Sequence, residues 1–204
     1  MNKKNLRHIL KLLHFVHYFI LLGLCIFFSI VAVFALRGNN EHMVKLRAAV
    51  FSADKQGSNI EASLSTLRAY VYAHMNTNLS AGQNAVKPPI QLKYEFERRS
   101  AIDKADYDQK TAKVLSDAET TCTAQVPGPA ISQERLICAK AYAAAHSVTL
   151  QTVPEDLYKF DFASPAWSPD LAGWSIVAAV LFLVLFIIRY VSELAIRYEL
   201  KNHA

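Results

Sequence analysis

Leu171–Ile188 reads LAGWSIVAAVLFLVLFII, eighteen residues without a charge. As a helix rising about 1.5 Å per residue it covers roughly 27 Å, close to the thickness of a bilayer's hydrocarbon core. Ser168 is placed to cap this helix, Pro169 suits its first position, and Asp170 complements the positive end of its dipole. Arg189 and Tyr190 close the far side with a cation and an amphipathic ring, and Trp167 and Trp174 mark the near interface.

A second such run, Tyr18–Leu36, lies near the start of the chain, and Tyr18 is its interfacial aromatic. It exceeds the roughly 7–15 apolar residues of a signal peptide's core, so an uncleaved anchor is expected. Cys25 is a small apolar residue within it. The flanking segment 2–17, NKKNLRHILKLLHFVH, puts Leu6, Ile9, Leu10 and Leu13 on one face and Lys3, Lys4, Arg7 and Lys11 elsewhere. This fits a basic lead-in lying on an anionic leaflet, in which His14 and His17 are interfacial.

The charge distribution orients the chain. The formal net charge is +5, yet residues 38–170 hold 14 basic and 15 acidic side chains. The excess of cations therefore sits at the two ends, which the positive-inside rule assigns to the cytoplasm. No basic face is left for nucleic acid. The expected organisation is a cytoplasmic lead-in (1–17), a first span (18–36), an extracytoplasmic helical domain (37–170), a second span (171–188) and a cytoplasmic tail (189–204). The compartment is the plasma membrane, with both termini inside.

Between the spans, Glu41–Gln56 has helical spacing through Met43, Leu46, Val50 and Ala53, and Gly57 follows as a left-handed stop. Ser58 or Asn59 can cap a second helix through Ile60, Leu64, Leu67, Val71 and Met75. The Asn-rich run Asn76–Asn84 is expected at an exposed tip, and Asn78-Leu79-Ser80 is a glycosylation sequon. A long helix is expected over Pro89–Cys122, with charges of both signs interleaved on its solvated face. After the Pro127-Gly128-Pro129 break, Ser132 caps a fourth helix. From Val148 the period falls to two, and Val148–Phe162 is expected as a juxtamembrane β-hairpin that must pack on the helices or pair with another chain. The fold class is thus mainly α: two transmembrane helices flanking an extracytoplasmic bundle of about four helices, with a small β-hairpin.

The firmest chemical signal is Cys122 with Cys138, which bracket the Pro-Gly-Pro turn. In an oxidising space they form a disulfide. Chains of catalytic pattern are missing from the sequence: it has no Gly-rich phosphate loop, no G-x-S-x-G, no H-E-x-x-H and no CxxC. No enzyme activity, cofactor or metal site is expected.

The layout of tail, span, helical outer domain, span and tail resembles the extracytoplasmic four-helix sensor domains of chemoreceptors and sensor kinases. Those receptors carry a large cytoplasmic output module, whereas sixteen residues follow the second span here. The resemblance therefore implies output through a partner. The SPAWSPDLAG approach to the second span is also similar to the proline-rich approach in polysaccharide chain-length regulators. Three functions follow as expectations. The first is a non-enzymatic interaction or accessory subunit of a cell-envelope assembly, in contact with the lipid bilayer and with a protein partner or further copies of itself. The second is a ligand-sensing module, with His74, Asn76, Asn78 and Asn84 as candidate ligand-binding residues. The third is a chain-length-regulator-like membrane protein.

Overall fold

The computed structural model describes residues 18–80, 86–129 and 132–202. The basic lead-in, His14 and His17, and Asn84 lie outside them. Among the described residues the chain is mainly helical: α1 (Tyr18–Gln56), α2 (Ile60–Ala73), α3 (Lys93–Gln125), α4 (Gln133–Ala145) and α5 (Leu171–Asn202). Two short strands, β1 (Ile90–Gln91) and β2 (Lys159–Phe160), form an antiparallel pair, and a 3-10 turn spans Glu155–Leu157. The chain divides into two compact units. The first comprises residues 18–50, 61–80 and 162–202; the second comprises 51–60 and 86–161.

The apolar run and the following amphipathic stretch, expected as separate helices, are one 39-residue helix. Gly38, Asn39 and Asn40 do not interrupt it. Asparagine weakens helices when its amide competes for local backbone groups. Here both amides bond distant partners instead: Asn39 donates to the Met75 carbonyl and to Asp170, and Asn40 Oδ1 accepts from the Asn78 backbone N–H. The Arg37–Glu41 pair, 2.7 Å apart at i,i+4, adds a small local contribution. Beyond this point Met43, Val50, Leu64, Leu67 and Val71 are buried, and the His42 and Tyr70 rings lie 4.6 Å apart.

Helix α5 runs antiparallel to α1. Tyr18 meets Tyr190 at 6.2 Å between ring centroids, Phe28 stacks on Phe182 at 5.6 Å, and Asn39 reaches Asp170. Numbers rise along one helix as they fall along the other, so the two apolar runs lie side by side. Ala32, Ala172, Gly173 and Ser175 are buried, small residues of the kind that allow close backbone approach between membrane helices. The hydroxyls of Ser29, Ser175 and Ser192 donate to carbonyls four residues back, so these three donors are bonded within their own helices.

In the second unit, Gly57 adopts φ +69° and closes α1 with a Schellman pair. Its N–H bonds the Asp54 carbonyl, and the Ser58 N–H bonds that of Ala53. The expected long helix starts at Lys93 rather than Pro89. Ile90 and Gln91 are instead drawn into β1, opposite Phe160 and Lys159, and the Leu92 N–H extends the ladder to the Tyr158 carbonyl. The expected hairpin within Val148–Phe162 is therefore corrected: Lys159–Phe160 pairs with a strand some 70 residues earlier, which lets Ile90, Leu92 and Val153 bury their side chains. Leu92 is at the cap position of α3 and has no polar side chain, so its first N–H groups need another acceptor. Asp54 supplies it. Its carboxylate accepts from Tyr94 N at 3.1 Å and Glu95 N at 2.7 Å. Arg98 bonds the Asp54 carbonyl at 2.9 Å and Glu95 at 2.8 Å, and Arg99 bonds Glu95 at 2.7 Å.

Helices α3 and α4 are joined by the Cys122–Cys138 disulfide, as the spacing suggested. Ser132 caps α4 by accepting from Arg135 N, and the Arg135 guanidinium holds the intervening turn through the carbonyls of Val126 and Gly128. Closing sixteen residues of chain is worth about 3 kcal/mol in the chain-entropy account. Reduction of the purified chain is thus expected to lower its denaturant-unfolding free energy by roughly that amount. Unfolding curves with and without reductant check this; coincident curves would refute it.

Candidate functional site

The densest set of polar groups brought together from distant sequence lies where α1 leaves its apolar run and α5 begins. Asp170, not Ser168, caps α5: its Oδ1 accepts from Gly173 N at 2.9 Å. The proline after Ser168 removes a backbone N–H, and the Ser168 hydroxyl turns away to accept from Met75 N at 3.0 Å. Asp170 Oδ2 accepts from the Asn39 amide at 2.8 Å, and the same amide reaches the Met75 carbonyl at 3.3 Å. One carboxylate thus links the exits of both apolar runs, and Asn39 links both to the end of α2.

The Asn-rich loop closes the clasp from the other side. Asn76 has φ +60°, a left-handed conformation that asparagine tolerates, and its amide donates to the Leu36 carbonyl at 3.1 Å. Thr77 and Leu79 are buried, and Arg47 Nη1 donates to the Leu79 carbonyl at 2.5 Å. The first half of the loop is therefore bound down onto α1 rather than held out at a tip. Asn78 is exposed and its side chain accepts from Ser80 N. His74 stacks on Tyr70 at 4.1 Å, with Nδ1 facing the Tyr70 carbonyl at 3.0 Å. Of the four candidate ligand residues, the structure gathers His74, Asn76 and Asn78 at this loop, and the Asn76 amide is engaged in holding α1.

Charge follows from this geometry. Burial pushes the Asp170 carboxyl up, but hydrogen bonds from Gly173, Asn39 and Ser168 and the nearby His74 outweigh it, leaving it below the usual carboxylate range. Burial, with the Asp170 charge added, raises the Tyr70 phenol. In the second unit the hydrogen bond from Arg98 is the main cause holding Glu95 low. Both carboxyls have folded values below their unfolded ones. Their contributions are complete above the ordinary carboxylate range and are lost as pH falls through the lower folded values. Stability of the full chain in detergent is expected to drop on acidification in that window. Asp170→Asn, which keeps an acceptor at the cap, is expected to flatten the dependence; an unchanged acid limb in this variant would rule Asp170 out as a contributor.

The aromatic residues expected at the membrane interfaces pair with one another at the ends of the apolar runs. Trp167 and Trp174 meet edge to face at 5.9 Å beside the clasp, and Tyr18 and Tyr190 meet at the opposite end. There Arg189, Glu193 and Arg197 form an i,i+4 ladder with contacts of 2.9 and 2.5 Å. Among the described residues no three His, Cys, Asp or Glu side chains gather as a metal-binding group. Sequence reasoning missed Asn39, whose signal was an asparagine pair just beyond Arg37-Gly38 at the end of an apolar run. It also missed Asp54, which no local pattern marks. The donors and acceptors of the clasp satisfy one another, so its chemistry is that of a joint. The chain matches no family model, and comparison with curated proteins and with solved structures returns no similar chain.

Proposed function

We propose that the chain is a non-enzymatic integral membrane protein, anchored by two antiparallel spans, whose outer domain (37–170) acts as an interaction or accessory subunit of a cell-envelope assembly. The observation that carries this is the exposure of the two apolar helices. Their most apolar windows have mean hydropathies of 3.0 and 2.8, and only 6% and 22% of each is buried. A soluble protein's core helix hides such a surface; these two offer it to their surroundings, where lipid is the natural solvent. Continuity of α1 from Tyr18 to Gln56 and its side-by-side contacts with α5 favour a retained anchor over a cleaved signal. The charge distribution supports both ends inside the cell. Asn76 and Asn39 serve the joint, which supports the interaction reading over ligand sensing.

Cross-linking in native membranes tests the function. A specific cross-linked protein, or a discrete oligomer of the chain, is expected through residues 37–170. A chain that stays monomeric and uncross-linked would overturn the reading.

A further inference from the structure

Helix α5 runs unbroken from Leu171 to Asn202. It therefore outlasts its own apolar run by about four turns. Arg189, Glu193 and Arg197 bring charge to this extension, and Glu193 bonds both arginines. One face of it nevertheless stays apolar and open: Val191, Leu194 and Tyr198 are 55%, 50% and 67% exposed. Leu194 and Tyr198 lie roughly 9 and 15 Å beyond Ile188 along the helix axis, past the hydrocarbon core, where lipid tails do not cover them. The face continues one that starts inside the span. Val180, Val184 and Ile187 precede Val191 at the same alternation of four and three residues and are exposed as well. The stripe lies opposite the contact with α1, which α5 makes through Phe182 and Phe186.

The spacing says what covers this stripe. Alternate steps of four and three residues average about 3.5, short of the roughly 3.6 residues per turn of a straight helix. A stripe held at that spacing stays in line when its helix coils left-handedly about another helix. Lipid demands no such register, and past Arg189 the charged positions leave only this one face apolar. The membrane fixes the direction of a second copy: two chains inserted with one topology set their α5 helices parallel, and each position then meets its own counterpart across the two-fold axis. Val184 and Val191 take the a positions of the repeat, and Ile187 and Leu194 the d positions. β-Branched residues at a with leucine at d favour two strands. Arg189 and Glu193 fall at f and c, away from the seam, so they set no like charges against each other across it. We propose that α5 is a dimerisation helix, in which Val180–Tyr198 pairs in parallel register with the same helix of a second copy. The proposal rests on the two-span reading and goes beyond contacts of the outer domain, because its surface lies in the second span and the extension that follows.

The register makes the test specific. Full-length chains in a Cys25→Ser background carry single cysteines along the extension, and their membranes are oxidised with a copper catalyst. Val191→Cys, Leu194→Cys and Tyr198→Cys are expected to form disulfide-linked homodimer about fivefold more than Ser192→Cys, Ile196→Cys and Glu199→Cys, whose positions point outward from a parallel pair. Adding Leu194→Glu to the Val191→Cys chain sets like charges opposite each other in the seam and is expected to cut the dimer about tenfold. Thermal unfolding in a detergent that keeps the chain monomeric is expected to stay unchanged, because Leu194 is 50% exposed within the protomer. Equal cross-linking at all six positions, or none at any, overturns the proposal. So does capture of the seam cysteines by a different protein or, in chains that also carry Leu10→Cys, by the basic lead-in. If the seam gives no dimer but residues 37–170 cross-link to a specific partner, only the seam fails. A seam dimer without any contact through residues 37–170 supports the proposal and counts against the outer-domain reading.

Discussion

Replacing Asp54 with alanine is expected to remove about 3 kcal/mol of folding stability, the lower end of the range for breaking a buried, hydrogen-bonded ion pair. The lower end applies because the Asp54 side chain is 3% exposed whereas Arg98 is 37% exposed and can regain water. Three costs combine. The N–H groups of Tyr94 and Glu95 lose their acceptors at the start of α3. Arg98 loses one anchor, and the end of α1 loses its link to α3 within the same unit. Asp54→Asn keeps one oxygen acceptor and is expected to recover part of the loss. Denaturant unfolding of the full chain in mild detergent measures the free energy, and amide exchange at Tyr94 and Glu95 reports the freed helix start. A loss below about 0.5 kcal/mol, the size of an ordinary surface substitution, would show that Asp54 does not hold this unit.

The second large effect concerns Gly173. An added Cβ there would run into the Ser168 carbonyl, well inside van der Waals contact, and would come within 2.9 Å of Trp167 Nε1. Helix propensity alone predicts that Gly→Ala stabilises by about 1 kcal/mol. Steric overlap with backbone predicts the opposite, a loss of about 3 kcal/mol or more, because the 168–170 approach to α5 must move and with it the Asp170 cap. Gly23 and Gly38 are the controls, since nothing lies within 4 Å of a Cβ at either. A thermal-shift assay of the full chain in detergent compares the three variants, and alanine at the two control positions is expected to be neutral or mildly stabilising. A stabilised Gly173→Ala chain would mean that the close approach at the clasp is not maintained in solution.

What the sequence could disclose was local. Apolar length and charge placement gave both long apolar helices, Gly57 announced the end of α1, and Ser132 announced the start of α4, because each signal resides in a few adjacent residues. The disulfide was legible because sixteen residues and a Pro-Gly-Pro turn leave two helical cysteines close. The misreadings were all long-range. Tyr18–Leu36 and Glu41–Gln56 read as separate elements because nothing nearby shows that Met75, Asn78 and Asp170 will take up the amides of Asn39 and Asn40. Lys159–Phe160 looked like half of a hairpin because its partner, Ile90–Gln91, was hidden in what resembled a helix start. Ser168 and Asp170 exchanged roles for the same reason: Met75, distant in the chain, competes for the serine. The joint between the apolar helices was invisible for a related cause, since its residues come from three separate stretches, on α1, in the loop after α2 and at the start of α5.

The central claim is that the two apolar helices close a membrane hairpin with residues 37–170 outside. Single cysteines at Glu119 and Tyr198, both exposed side chains, placed in a Cys25→Ser background with the Cys122–Cys138 disulfide intact, test it directly with a membrane-impermeant maleimide on whole cells. The expected result is labelling of Glu119→Cys in intact cells and of Tyr198→Cys only after permeabilisation. Labelling of Tyr198→Cys in intact cells, with Glu119→Cys protected, would contradict the account.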